Sequence, residues 1–486
     1  MRHSSIHERG RAVFRWWTNR NPTRPAAAVV AVATALSLLA PPADLAPRAA
    51  EPVADLATRP GEDWGAFLGP TSNGRSAVQG IVSPWPAGGP RIVWQCELGE
   101  GYVPPAVERG RALVFDRVGD EYRLRCLHAE TGAVLWERRS PADYTDLFGY
   151  DGGPRSAPVI AGDRVVTFDP EGRLECRSLA DGALSWSVDT TAEYGVVRNF
   201  FGVGAAPLVV DVAGGPVVIA PVGGSPPGSA PTAPERLDLV RGLDSGLVAF
   251  DLASGRERWR ASSELAGYSS PVAARIGGAD RVVAWLRDRL VVVDPGSGDV
   301  RSGFRWRADD LFSVVAANPV VQGDEVLLTE AYGPGSVLLD LAGDEPRVLR
   351  QDPRRARPAT ALKVHWATPV LHDGHLYAAS GRHAGDAALV CVDWRTGAVR
   401  WAEEGFGRAS LVLADGHLVV VAEFGDLLLV RATPERFTPV SRARLVDPSG
   451  GPLLESPCWA APVVARGLCY VRGAGRLVCV DLVEAR

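Results

Sequence analysis

The chain has 486 residues, 46% of them apolar, and a formal charge of −5. A chain of this size can bury a large core, and an acidic body argues against nucleic acid as a partner. Lys363 is the only lysine and has no serine three residues before it, so Schiff-base or Ser-Lys chemistry has a single, poorly placed candidate.

The first 25 residues hold six Arg against one Glu, and "PAAAVVAVATALSLLAPP" follows. A basic flank and an apolar run of about fifteen residues indicate a signal h-region or an uncleaved signal anchor. The expectation is a cytoplasmic basic flank, an exported body, and membrane contact through this segment only. Residues 1–60 are assigned to the basic stretch, the segment and a linker, and residues 61–486 to the folded body.

From there the chain repeats. "CLHAETGAVLWE" at Cys126 returns as "CRSLADGALSWS" at Cys176, "VAFDLASGRERWR" at Val248 and "CVDWRTGAVRWA" at Cys391. A second marker, a small residue then Pro then an aliphatic run, recurs at Pro105, Pro158, Pro207, Pro271, Pro319, Pro369 and Pro462, with "ASLVL" at Ser410 filling one gap. That makes eight units roughly fifty residues apart, the range of solenoids, propellers and arrays.

Within a unit, "SAPVIAGDRVVTFDPEGRLECRSLADGALSW" reads as four short apolar runs bounded by "AGD", "DPEG" and "ADG". Asp and Gly at those places supply the positive φ of hairpin turns, so each unit predicts four antiparallel strands, a propeller blade. The last unit stops after three strands. The missing one stands at the other end, as "PRIVWQCEL" with Trp94, which predicts an all-β, eight-bladed ring closed by an N-terminal strand.

The marker Pro suits the first residue of an innermost strand, where a ladder N–H is spared. The recurrent Trp94, Trp136, Trp186, Trp259, Trp306 and Trp401 suit outer strands, where an indole covers the seam to the next blade and contributes about 2–3 kcal/mol. Four of the seven cysteines, Cys126, Cys176, Cys391 and Cys479, share one repeat position and read as small core residues. Cys469 and Cys479 lie on strands close enough for a disulfide to be possible.

These residues carry a family resemblance. "AETGAVLW" and "WRTGAVRW" resemble the tryptophan-docking repeat of PQQ-type, quinoprotein-like propellers, the family that includes BamB. "DWGAFLGPTSNG" is similar to the Trp-x-x-Phe-x-Gly-Pro opening of PQQ-like repeat proteins of bacterial envelopes, and the likeness spans residues 63–482. It implies the propeller fold and a cell-envelope setting. The dehydrogenases of the superfamily hold PQQ with an adjacent cysteine pair, a calcium site and a catalytic Asp. This chain has no adjacent cysteines and matches none of those positions. The resemblance therefore allows PQQ but implies a non-catalytic scaffold, without cofactor or metal, whose partner is an envelope protein or a small ligand. The alternative is a quinone-dependent oxidoreductase, or another small-molecule enzyme, using the channel mouth.

Other motifs read as structure. His372 and His375 of "HDGH" span a hairpin turn that "ADGH" repeats at His417, and "DPGSGD" at 294–299 occupies the same turn as "AETG". "RQDPRRARP", with Arg350, Arg354, Arg355 and Arg357, reads as a solvated connection. The insertion "VGGSPPGSAPTAPERLD" reads as flexible and exposed.

Candidate binding residues sit on the long connections that enter innermost strands: Tyr144, Phe148, Tyr150, Asp151 and Arg155 before the second blade, Tyr194, Arg198, Asn199, Phe200 and Phe201 before the third, and His365 and Trp366 before the sixth. All should gather at one mouth of the axial channel.

Overall fold

The turn residues do locally what the pattern predicts. In the second unit, Gly162, Gly172 and Gly182 take φ of 61°, 94° and 71°, and between them run strands Val159–Ala161, Arg164–Phe168, Arg173–Ser178 and Leu184–Asp189. The same meander recurs around the computed structural model, which describes residues 55–353 and 362–483. The basic N-terminal stretch, the apolar run, and Arg354, Arg355 and Arg357 lie outside the described residues.

The sheets are eight antiparallel blades of four strands. Blade 1 spans residues 106–141, blade 2 159–189, blade 3 208–261, blade 4 272–305, blade 5 320–351, blade 6 370–404 and blade 7 410–444. Blade 8 combines Val463–Ala465, Leu468–Gly473 and Arg476–Asp481 with the N-terminal strand Arg91–Glu97. That strand pairs antiparallel with Arg476–Asp481, Trp94 opposite Cys479, so the ring closes as the sequence implies. Blade 7 carries a fifth strand that the repeat does not announce: Arg75–Ser76 runs parallel to its innermost strand.

Seven innermost strands begin at the residue after a marker Pro, from Ala106 to Val463, and Ser410–Ala414 begins blade 7. The residue before the Pro does more than stay small. Ala206 N–H donates to Ser270 Oγ, Ser270 N–H to Asn318 Oδ1 and Asn318 N–H to Thr368 Oγ1, at 2.8–2.9 Å, linking blades 3 to 6 around the axis. Buried main-chain donors that sheet pairing leaves over are thereby satisfied.

The cores lie in the seams between blades. One groups Val166, Phe168 and Trp186 of blade 2 with Val218, Val248 and Phe250 of blade 3. Each docking indole donates to a main-chain carbonyl across its seam: Trp94 to Ala129, Trp136 to Leu179, Trp186 to Leu252, Trp259 to Pro295 and Trp401 to Thr433. Four of these rings lie on a glycine of the next blade's turn. A Cβ on Gly182 would stand 2.7 Å from the Trp136 ring.

Trp306 corrects the expectation. In blade 4 the docking register falls on Ser302, opposite Val292 as Trp136 is opposite Cys126. Trp306 lies four residues further on, buried against Trp285 with ring centroids 5.4 Å apart, in the core between blades 4 and 5. Arg350 takes the docking place in blade 5, over Gly397, and Ser441 takes it in blade 7, where its hydroxyl accepts from Trp85 N–H.

Cys469 and Cys479 are both free. Cys479 stands opposite Tyr470, the neighbour of Cys469, and this one-residue offset places the two side chains on opposite sheet faces. The insertion in blade 3 is held at points along its length rather than free throughout. Ser225 N–H donates to Gly195, and Leu237 is buried, whereas Leu239 is exposed. Helix among the described residues is limited to Thr190–Tyr194 and the single 3-10 turn Leu237–Leu239, and none is long and apolar enough to cross a membrane.

A candidate ligand-binding well on the propeller axis

Counting three residues back from each marker Pro, or from Leu411 in its place in blade 7, gives Tyr102, Arg155, Gly204, Tyr268, Ala316, Trp366, Arg408 and Trp459. All eight line one cavity of about 200 Å³, one residue from each blade. Beneath them lie the small residues next to the markers, among them Ala157, Ala206, Ser270 and Thr368. An innermost strand that starts at a fixed distance from the axis puts the same repeat position at the same height, so a repeated sequence becomes a ring.

The well has a floor. Trp64 bridges to Val107 of blade 1, Gly65 C=O accepts from Ile160 of blade 2, and Gly74 C=O accepts from Leu413 of blade 7. The segment between these anchors crosses the axis, and Phe67 and Leu68 close the cavity from below.

Two guanidiniums are built into the wall. Arg408 lies 5.1 Å from the Trp366 ring centroid and 4.7 Å from that of Trp459, and it pairs with Glu423. Trp459 Nε1 donates to the same carboxylate at 2.9 Å. Burial pushes the Glu423 carboxyl up, but the donors from Arg408 and Trp459 outweigh it and hold the group below its ordinary range. Arg155 sits 5.5 Å from the Tyr102 centroid and 5.1 Å from that of Phe201, with Asp146 at 3.6 Å.

His365 lies beside Trp366, ring centroids 4.5 Å apart, its Nε2 2.9 Å from the Tyr332 hydroxyl. Burial first, then Arg408, Arg382 and His383, lower its pKa to about 3, so it is neutral at pH 7. The Trp366 Nε1 is buried with no hydrogen-bond partner among the described residues. Burial also raises the Tyr268 phenol well above its ordinary value. Among the described residues no carboxylate or thiol lines the well.

Of the residues expected at the mouth, Tyr150, Arg155, Phe201, His365 and Trp366 line the well, and Asp151 lines an adjoining cleft. Tyr194 is elsewhere. It ends the helix Thr190–Tyr194, which turns it into the seam between blades 2 and 3, where it packs on Phe250 and donates to Glu257 at 2.7 Å. Arg198 is exposed, and Asn199 Oδ1 accepts from its neighbour Phe200 N–H, so neither lines the well. Tyr144 is buried, with its hydroxyl 3.4 Å from Phe200 O. Tyr102, Tyr268 and Arg408 escaped sequence reasoning because they sit on short connections, and Trp459, on the long connection between Arg444 and Val463, because no local motif marks it. Their shared distance from the marker was the signal that could have found them.

The turn motifs behave as turns. Asp294 Oδ1 accepts from Gly296 and Ser297 N–H, and His372 pairs with His375 across a hairpin. Among the described residues no three His, Cys, Asp or Glu side chains are grouped to hold a metal ion.

No curated protein matches the chain in sequence. Among solved structures, BamB from Moraxella catarrhalis is similar at 15% identity and a TM-score of 0.54, over 81% of this chain and 98% of that one. The quinohemoprotein alcohol dehydrogenase from Comamonas testosteroni gives 13% and 0.60, over 87% and 81%. A europium-containing methanol dehydrogenase gives 12% and 0.63, over 85% and 90%. At such identities the likeness is one of fold. A family model described as outer membrane protein assembly factor BamB matches residues 79–224, 220–350 and 302–443, most of the propeller. The chain therefore belongs to that family of PQQ-repeat β-propellers.

Proposed function

We propose that this propeller is a non-catalytic binding module of the cell envelope, and that the axial well takes a small ligand or an apolar side chain of a partner protein. The observation that carries this reading is the ring of eight equivalent residues over the Phe67–Leu68 floor: a blind, mostly apolar well, half of its ring aromatic, whose two cations are already paired. Such a lining favours flat or apolar groups through burial and ring contacts. His365 lines the well but is tied to Tyr332, and its pKa, lowered to about 3 by burial, makes it a weak base. Export rests on the N-terminal segment and on the family.

PQQ with calcium is a poor fit to these residues. Among the described residues the lining offers no carboxylate to hold calcium and no thiol pair beneath a quinone, and Arg155 and Arg408 are committed to Asp146 and Glu423.

Capture from a bacterial envelope extract tests the reading, with wild-type protein beside Trp366→Ala. A bound protein or small molecule retained by wild type and lost from the variant is expected. Retention of PQQ with calcium after desalting, together with alcohol-dependent dye reduction, would overturn it.

A further inference from the structure

Outside the well, a cleft opens where the ring closes, between blade 8 and blade 1. It has a volume of about 430 Å³ and shares Tyr102, Tyr150 and Trp459 with the well, so the two compartments adjoin across those rings. Arg472, at the end of strand Leu468–Gly473, lines it while only 4% exposed. A guanidinium this buried ordinarily faces a carboxylate. Here its partners are main-chain carbonyls: Nη1 donates to Val103 at 2.9 Å and Phe115 at 3.4 Å, and Nη2 donates to Gly99 at 3.3 Å.

A guanidinium has five N–H donors, so these three bonds leave one on Nη2 and the one on Nε to donate to an oxyanion. The approach to Nη2 is kept clear by Gly101. A Cβ there would stand 3.2 Å from Nη2, and its φ of +124° suits glycine alone. The carboxylates on the opposite wall are engaged. Asp151 accepts from Gly101 and Gly153 N–H, and Glu100 accepts from Gly152 N–H, while Asp116 and Asp151 act on Arg472 as counter-charges without a direct hydrogen bond to it.

We propose that this cleft is an oxyanion subsite, in which Arg472 receives a carboxylate or phosphate borne by a ligand whose apolar body lies in the adjoining well. The proposal rests on the reading of the well as a binding site, and it narrows the ligand to an amphipathic anion.

Calorimetry on the full chain tests it with 3-phenylpropionate and phenyl phosphate against the neutral 3-phenylpropanol. Both anions are expected to bind, the alcohol about tenfold or more weakly. Arg472→Gln should erase the difference. Should that variant fail to fold, the comparison of anion with alcohol on wild type still decides. If the alcohol binds as tightly as the acid and Trp366→Ala abolishes both, the well is a binding site and the cleft is not. Anion-selective binding that Trp366→Ala leaves unchanged would uphold the subsite without the well. If neither anion binds, the subsite is overturned, and envelope capture still judges the well. Selectivity for only one of the two anions upholds the subsite and names its chemistry.

Discussion

The guanidinium of Arg408 lies 4.7 Å from the ring centroid of Trp459, and both side chains donate to one carboxylate, Glu423, whose side chain is 4% exposed. Three residues from blade 7 and the entry to blade 8 thus hold one wall of the well as a unit. Glu423→Ala leaves a half-buried cation without its counter-charge, and the expected loss is about 3 kcal/mol in a urea titration. An unchanged midpoint would show that the unit does not stabilise the wall.

The seams make a prediction that separates docking from mere burial. Trp136→Ala removes a packed ring and a hydrogen bond to Leu179, and should cost about 3–5 kcal/mol. Gly182→Ala should also destabilise, by about 1–3 kcal/mol, because the new methyl meets the Trp136 ring at a φ of 71°. Ser302→Ala, at the same register in blade 4, should stay within about 0.5 kcal/mol. Thermal unfolding of the three variants checks the ranking.

Closure can be tested by deleting residues 89–98. The deletion removes Arg91–Glu97 with Trp94, exposes the edge Arg476–Asp481, and opens the seam onto Ala129. Whole-strand loss should cost at least about 5 kcal/mol, as several core truncations together do. Cooperative unfolding at the wild-type temperature would contradict the role given to this strand.

Glu108 predicts a pH dependence. It ends the innermost strand of blade 1, where a Cβ on Gly65 of the crossing segment would touch its Oε2. Burial first, then Asp63, raises its pKa from 4.5 to about 7, although Arg109 and Arg466 oppose the shift. A carboxyl raised in the folded state binds its proton more tightly there than in the unfolded chain. Its contribution is therefore full below about pH 4.5 and lost as pH rises through about 7. Glu108→Gln should raise the unfolding temperature at pH 8 relative to wild type and leave it nearly unchanged at pH 4. A larger gain at pH 4 would reverse the assignment.

The two arginine-and-histidine candidates on the long connections should behave differently. Arg198→Ala changes an exposed side chain, and stability should stay within about 0.5 kcal/mol. His365→Ala strands the Tyr332 hydroxyl and should cost about 1–3 kcal/mol. Chemical denaturation of each single variant reads this directly.

The sequence by itself determined the blades, because turns and strands are local. Asp-Gly turns, apolar alternation and a Pro at a strand's start act over a few residues, and eight copies of one pattern with a strand displaced to the N-terminus leave few ways to close a ring. Tertiary structure alone decided which side chains meet. Tyr102, Arg155, Tyr268, Trp366, Arg408 and Trp459 come from six blades far apart in the chain, and only the common axis makes them neighbours. The floor has the same origin, since "DWGAFLGPTSNG" carries no local sign that it crosses under the channel from blades 1 and 2 to blade 7. Trp306 and Tyr194 show the limit from the other side. Each had the right residue type near the right place, but a shift of four residues in one and a single helical turn in the other carried the ring into a seam, where burying it was worth more than keeping the repeat.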